Sequence, residues 1–315
     1  MAADRENRQA TIGVICCAYQ AEDHIDQMLA SLASQTRLAD QVVVVDDAST
    51  DGTGDRARAW ADHLPITVVR ASENLGPGAA RHLAVGHLTT DLISPIDADD
   101  VVLPDHLDAL ARYLPEGLGA VGSAGYYWHP GQPLVNFHER SRLGLAPEHQ
   151  LRQLLVTNRL LIAGMYRRCD YDAIGGFEDM AHEDWGLWVK LAMAGIPITI
   201  CPVPTYLYRQ HAASLTGNDE RRSVLDVSAF EQLIARAKDH LPVDEIDQIR
   251  ADRARFLARL EVQRRLTSGD IAGAKAIAGS VSARGDRTMW AIAHLPAPMI
   301  RTARSLKNMN IAGRR

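Results

Sequence analysis

The residues of this 315-residue chain best placed to do chemistry are acids. Asp97, Asp99 and Asp100 close the apolar run Leu92-Ile93-Ser94-Pro95-Ile96 with three carboxylates in four residues. On a continuing strand Asp97 and Asp99 would point to the same side. Two like charges held that close need a positive group between them. A hard divalent cation answers that need, because carboxylate oxygens suit Mg2+ and Mn2+, and such ions keep positions open for phosphate oxygens. The plainer alternative is a solvated acidic turn that caps the helix after Pro104. Two further pairs stand out: Asp46-Asp47 at the end of a valine run, and Glu183-Asp184 at the head of a helical pattern that stops at Gly195. Acids also complement a helix N-terminus, so the second pair has a structural reading beside the chemical one.

Positioning these acids falls to a regular alternation of elements. Residues 11–18 read as a buried strand, followed by a helix over 23–34 with Ile25, Met28, Leu29 and Leu32 on one face. The unbroken valines at 42–45 predict a strand covered on both faces, as in a parallel sheet. A helix to residue 63, a strand over 66–71, a loop over 72–78 with Pro77 in the first turn of the next helix, and the strand ending at Asp97 complete the pattern. Four alternations predict an open α/β sheet with right-handed crossovers. Such sheets bind ligands at the carboxyl ends of their strands, where Tyr19, Asp46, Asp47 and Asp97 all fall. Farther on, strands are expected at 118–128, 161–168, 198–201 and 206–209. Beyond residue 223 the pattern is helical, at 226–241, 243–266 and 271–281, and the hairpin around Gly269 resembles a single tetratricopeptide unit.

Hydrophobic residues make up 46% of the chain, enough for a sizeable core. A net charge of −5 argues against a nucleic-acid partner. Cys16, Cys17, Cys169 and Cys201 form neither a CxxC pair nor a zinc spacing, and are expected as buried thiols in a reducing compartment. No apolar run reaches the ~18 residues of a membrane span, and the N-terminus has no signal-peptide pattern; the expectation is a cytoplasmic protein. Residues 284–315 hold seven Lys/Arg against one Asp. The tail from Met289 reads either as a packed helix with a solvated face or as a peripheral contact with the anionic inner face of a membrane.

The motifs together resemble family-two glycosyltransferases of the GT-A fold. They are Ala18-Tyr19-Gln20, in place of the family's usual Pro-Thr-Tyr-Asn; Val45-Asp46-Asp47-Ala48-Ser49-Thr50-Asp51; Asn74-Leu75-Gly76-Pro77-Gly78-Ala79-Ala80-Arg81; Asp97-Ala98-Asp99; Gly175-Gly176-Phe177; Glu183-Asp184; and Tyr208-Arg209-Gln210-His211. Each is weak alone; their order and spacing over residues 11–215 make the signal. The resemblance implies a GT-A Rossmann-like open mixed sheet flanked by helices. It also implies a glycosyltransferase domain at 11–220, with a nucleotide-binding half at 11–100 and an acceptor-binding half at 101–220. A tail at 1–10 precedes it, and a helical extension at 221–315 follows.

The implied reaction moves a sugar from a nucleotide-diphosphate donor, most commonly a UDP-sugar, to a hydroxyl of a saccharide, lipid-linked or other acceptor, with inversion and with Mn2+ or Mg2+. By the resemblance Asp99 is the main metal ligand, with Asp97 and His211 beside it, and Asp100 supports or caps. Tyr19, Asp46, Asp47, Asn74, Arg81, Asp97, Ala98 and Asp99 form the nucleotide-sugar set. Within it Asp47 reads the base, Tyr19 stacks on it, and Arg81 reaches the diphosphate or the acids. Asp184 is the general base, and Glu183 binds acceptor or orients the base. The departure at Ala18 and Gln20 touches the nucleotide pocket. Two rival readings are a nucleotidyltransferase and a non-catalytic nucleotide-sugar module. The acidic segment after the first strand counts against the first, and the retained acids count against the second.

Overall fold

The computed structural model describes residues 10–136, 149–158, 160–210, 219–282, 287–294 and 296. His211 and most of the basic tail lie outside the described residues. The chain divides into two compact units, residues 1–240 and 241–315.

In the first unit β1 (Ile12–Ala18), β2 (Gln41–Asp46), β3 (Ile66–Arg70) and β4 (Leu92–Pro95) pair in parallel, with β1 between β2 and β4. The full order is β3-β2-β1-β4-β8-β6-β9-β5, with β7 (Val135–Asn136) on β6. Here β5 is Val101–Val102, β6 Ala120–Trp128, β8 Gly164–Arg167 and β9 Ile198–Arg209. β8 runs antiparallel to both β4 and β6, while β9 is parallel to β6 and antiparallel to β5. The sheet is therefore mixed. Helices α1 (Ile25–Ala33), α2 (Thr53–Arg58), α3 (Pro77–Gly86) and α4 (His106–Tyr113) flank it. They are followed by α5 (Gln150–Val156), α6 (Arg168–Ala173), α7 (Glu183–Met193) and α8 (Asp219–Ala237).

The valine run behaves as its composition requires. Val42, Val43, Val44 and Val45 are all buried, which an alternating amphipathic strand would not allow. On one face Val42 and Val44 join Ile12, Val14 and Cys16 against Ile25, Met28, Leu29 and Leu32 of α1. Burial pushes the Cys17 thiol up to about 12, so this cysteine is held as a protonated small hydrophobe. Cys169, by contrast, is exposed.

Three expectations are revised. Asp97 and Asp99 do not lie on a continuing strand: β4 stops at Pro95, and the chain turns so that the Asp100 N–H bonds the Asp97 carbonyl at 3.2 Å. Their carboxylates converge through this turn and not through strand alternation. The two short strands expected at 198–201 and 206–209 are one strand, β9. Pro202 and Pro204 cannot donate to a ladder, and the register with β6 shifts between Gly122 and Gly125, so the prolines are absorbed as a bulge. Asp100 caps no helix; Asp105 occupies the position before α4.

His106, at the head of α4, is fully buried, with Nδ1 2.8 Å from Thr205 Oγ1. Burial lowers its pKa to about 3. The unfolded chain takes up a proton near pH 6.5 and the folded chain does not, so stability present above pH 6.5 is lost as pH falls toward 3. Between pH 6.5 and 5 the wild type is expected to lose about 2 kcal/mol more than His106→Gln. Urea denaturation at both pH values checks this; parallel pH dependences would refute it.

In the second unit α9 (Val243–Ser268), α10 (Ile271–Ser282) and α11 (Arg287–His294) enclose Val262, Ala274, Ala278 and Met289. Gly269 ends α9 at φ 87°, a left-handed position that favours glycine. Asp270 then caps the Gly273 N–H at 2.8 Å. Among the described residues no helix is long and apolar enough to cross a membrane.

Candidate active site

The motif residues sit at the ends of β1, β2 and β4, with the acids at the last two. β1 delivers Tyr19, which is 54% exposed and offers a ring face. Its neighbour Gln20 adopts φ 50°, and the Gln20 side chain reaches the loop after β2, accepting the Thr50 N–H at 2.7 Å. Gln20, one of the two residues that depart from the family's motif, thus ties the segment after β1 to the loop after β2.

β2 delivers Asp46 and Asp47, both buried. Asp46 accepts Arg70 Nη1 at 2.5 Å and the Ser49 N–H at 3.0 Å, and Gly54 leaves the room it needs, because a Cβ there would strike its carboxylate. Asp47 accepts the Leu75 and Gly76 N–H groups at 2.7 and 3.0 Å, and its own carbonyl accepts the Asn74 side-chain amide at 3.3 Å. Asp47 therefore anchors the loop that leads into α3. Ala48 turns the chain at φ 60°.

Beyond β4, Asp97, Asp99 and Asp100 each offer an oxygen, all within 4.8 Å of one another. Ala98 between them is buried. The two oxygens of Asp100 are engaged, accepting the Tyr206 O–H at 2.5 Å and the Arg209 N–H at 2.7 Å. Asp97 and Asp99 are partly exposed. Burial pushes the Asp97 carboxyl up, Arg81 opposes the rise and Asp99 adds to it. Burial, then Asp99 and Asp97, push Asp100 up further against its two hydrogen bonds. A dense all-oxygen cluster in which the neighbouring carboxylates push the Asp97 and Asp100 carboxyls up fits a hard divalent cation.

Arg81 joins this cluster to α7. Its guanidinium donates to Asp97 Oδ1 at 2.6 Å and to Glu183 Oε1, and it lies 5.9 Å from the Phe177 ring centroid. A Cβ at Gly78 would collide with the Glu178 carbonyl and crowd Glu183, so the glycine lets the head of α3 approach α7 closely enough for Arg81 to span the gap. Asp184 follows Glu183 at the start of α7, accepting the Trp185 N–H at 2.7 Å and the Asn158 amide at 3.0 Å. His182 enters the helix at φ 57° and lies 2.9 Å from Asp226 of α8. Gln20, Ala48 and His182 are the non-glycine residues with positive φ among the described residues. Each adjoins one of the motif residues, as strained backbone at functional sites does.

Asn158 was not legible as a site residue, because it sits in an irregular segment with no motif of its own. Arg209 was visible as a member of the Tyr208–His211 motif, and Tyr206 only as the start of a strand. Trp185 and Trp188 are core residues, buried at 1% and 0% exposure, with indole N–H groups on the Leu154 and Leu161 carbonyls.

Residues 13–173 match the family model described as glycosyl transferase family 2. The chain belongs to that family. Among its relatives is the amylovoran biosynthesis glycosyltransferase AmsE of Erwinia amylovora, 26% identical over 220 residues, which are 66% of this chain and 79% of the relative. Another is the glycosyltransferase YwdF of Bacillus subtilis, 26% identical over 191 residues, 58% of this chain and 68% of the relative. The fold is that of S. aureus TarS 1–349 in complex with UDP-GlcNAc, with a TM-score of 0.61, 22% identity, and 79% of this chain and 72% of that one covered. It is also that of the mannosyltransferase PcManGT from Pyrobaculum calidifontis in complex with GDP-Man and Mn2+, with a TM-score of 0.61, 23% identity, and 95% and 81% covered. This family-2 glycosyltransferase thus has the GT-A sheet, mixed and flanked by helices, with a helical C-terminal region.

Proposed function

We propose that this glycosyltransferase uses a nucleoside-diphosphate sugar, with UDP as the nucleotide, and transfers the sugar with inversion to an acceptor hydroxyl in a reaction that needs Mn2+ or Mg2+. The observation that carries the reading is the Arg81 bridge, which brings the acids after β4 and the acids of α7 into one connected group. Asp99 and Asp97 would hold the cation. When bound, such an ion supplies Lewis-acid neutralisation of the charge that builds on a departing diphosphate.

The chain's own residues do the rest. Tyr19 and the loop pinned by Asp47 and Asn74 would form the wall against the base. Arg81 keeps Glu183 and Asp97 at a fixed separation and balances their charge. Asp184 takes the proton from the acceptor hydroxyl. The hydroxyl oxygen then bonds the anomeric carbon as the bond from that carbon to the diphosphate oxygen breaks, and one direct displacement inverts the centre. Asn158 and the Trp185 N–H each leave a lone pair on the Asp184 oxygen they bond, so the carboxylate is oriented and still able to accept a proton.

A thermal-shift panel of UDP, GDP, dTDP and CDP, each with and without Mn2+, tests the donor reading. UDP with Mn2+ is expected to stabilise the fold by about 2.7 kcal/mol at a hundred times its Kd. Asp99→Asn should lose the metal-dependent part. A shift with GDP in place of UDP would reassign the base, and no shift with any of the four would overturn the donor site.

A further inference from the structure

The turn that carries Asp99 is gripped from the far side of the sheet. Its outgoing end enters β5, whose Val101 and Val102 pair with Leu207 and Tyr206 of β9. Arg209, the last residue of β9, is only 6% exposed. Its Nε donates to the Asp99 carbonyl at 2.6 Å, its backbone N–H to Asp100 at 2.7 Å, and its Nη2 to Gln27 of α1 at 2.6 Å. The guanidinium also lies over the Trp128 ring, 4.1 Å from the centroid, and the Gln210 N–H bonds the Trp128 carbonyl at 2.9 Å. A buried guanidinium so placed has one arm on the turn, one on a helix and a face on an aromatic ring. Lysine, with a point charge and no planar face, cannot fill all three roles.

We infer that Arg209 is a positioning residue for the Asp97–Asp100 turn, holding the Asp99 backbone so that its carboxylate is presented for the cation. Trp128 and Gln27 keep the guanidinium in place. The inference rests on the reading that Asp99 holds the cation. Arg209 acts through the Asp99 carbonyl and touches no reacting atom, so its loss shows first in metal affinity.

The test is Mn2+ binding to the full chain, read from the electron paramagnetic resonance signal of the free ion, with UDP and with GDP present in turn. The expected result is a Mn2+ Kd about tenfold higher in Arg209→Lys, the consequence of losing one charge-assisted hydrogen bond. Gln27→Ala should show a smaller rise, and Trp128→Phe, which keeps a ring face, wild-type affinity. All are measured at a temperature where circular dichroism matches the wild type, because a merely structural role would lower the melting temperature and leave the Kd of the folded protein unchanged. Should Arg209→Lys fail to fold, Gln27→Ala decides, since Gln27 is exposed on α1. Wild-type Mn2+ affinity in Gln27→Ala and in folded Arg209→Lys would overturn the inference. If the wild type takes up no Mn2+ with either nucleotide, the metal reading itself fails.

Discussion

Asp184→Asn is expected to lower kcat for transfer by about 10²–10⁴-fold, the usual contribution of a positioned general base, while donor and Mn2+ binding persist. The substitution is nearly isosteric. The introduced side chain would still accept the Trp185 N–H through its remaining oxygen. Its new NH2 group would face the Asn158 amide that now donates to Asp184 Oδ2. Rotating Asn158 resolves the conflict, because its Oδ1 is buried without a partner and would then accept. The fold should therefore tolerate the change, and the loss should lie in the chemical step. Single-turnover transfer, beside thermal shift with nucleotide and Mn2+, separates the two. Turnover at the wild-type rate would refute Asp184 as the base.

Arg81→Met is expected to cost stability as well as activity. The guanidinium is 7% exposed and paired with Asp97 and Glu183, whose side chains are 24% and 11% exposed. Removing it leaves two acids facing a low-dielectric gap with nothing between them, and breaking a buried ion pair from one side costs about 3–5 kcal/mol. The deficit should depend on pH. Burial already raises the folded-state pKa of Asp97, and Arg81 is the group that opposes the rise. Without Arg81 that pKa climbs further above its value in the unfolded chain. The folded state then binds more protons, so the stability of the variant recovers as pH falls through the raised value toward the unfolded range. Urea denaturation at pH 8 and pH 5 measures both effects, with Arg81→Lys as the control that keeps a charge. A loss below about 1 kcal/mol at pH 8, the scale of an exposed pair, would show that Arg81 is not the electrostatic link between the two acidic segments.

What was readable from the chain alone follows from local physics. The valines of β2 favoured a strand covered on both faces. Pro77 and Gly195 marked where helices begin and stop. Continuous apolar runs followed by acids located the carboxyl ends of β2 and β4, and the run before Tyr19 located that of β1. Family membership was legible because its motifs are short, ordered and carried by residue types.

What required tertiary structure was every partnership across distance. Arg81 meets Asp97 sixteen residues away and Glu183 one hundred and two residues away; no pattern along the chain says which acids a buried arginine will bridge. Asp46 and Asp47 look alike in sequence, yet one is matched by Arg70 and the other by backbone N–H groups of a different loop. Asp97 and Asp99 were expected to converge because side chains alternate along a strand, and they converge because the strand ends at Pro95 and turns. The bulge that makes β9 one strand is decided by its pairing with β6. Asn158 and Arg209 owe their places at the site to which elements pack together. Local sequence sets backbone preference and burial, whereas the partner of a buried charge is set by the elements that the fold brings beside it.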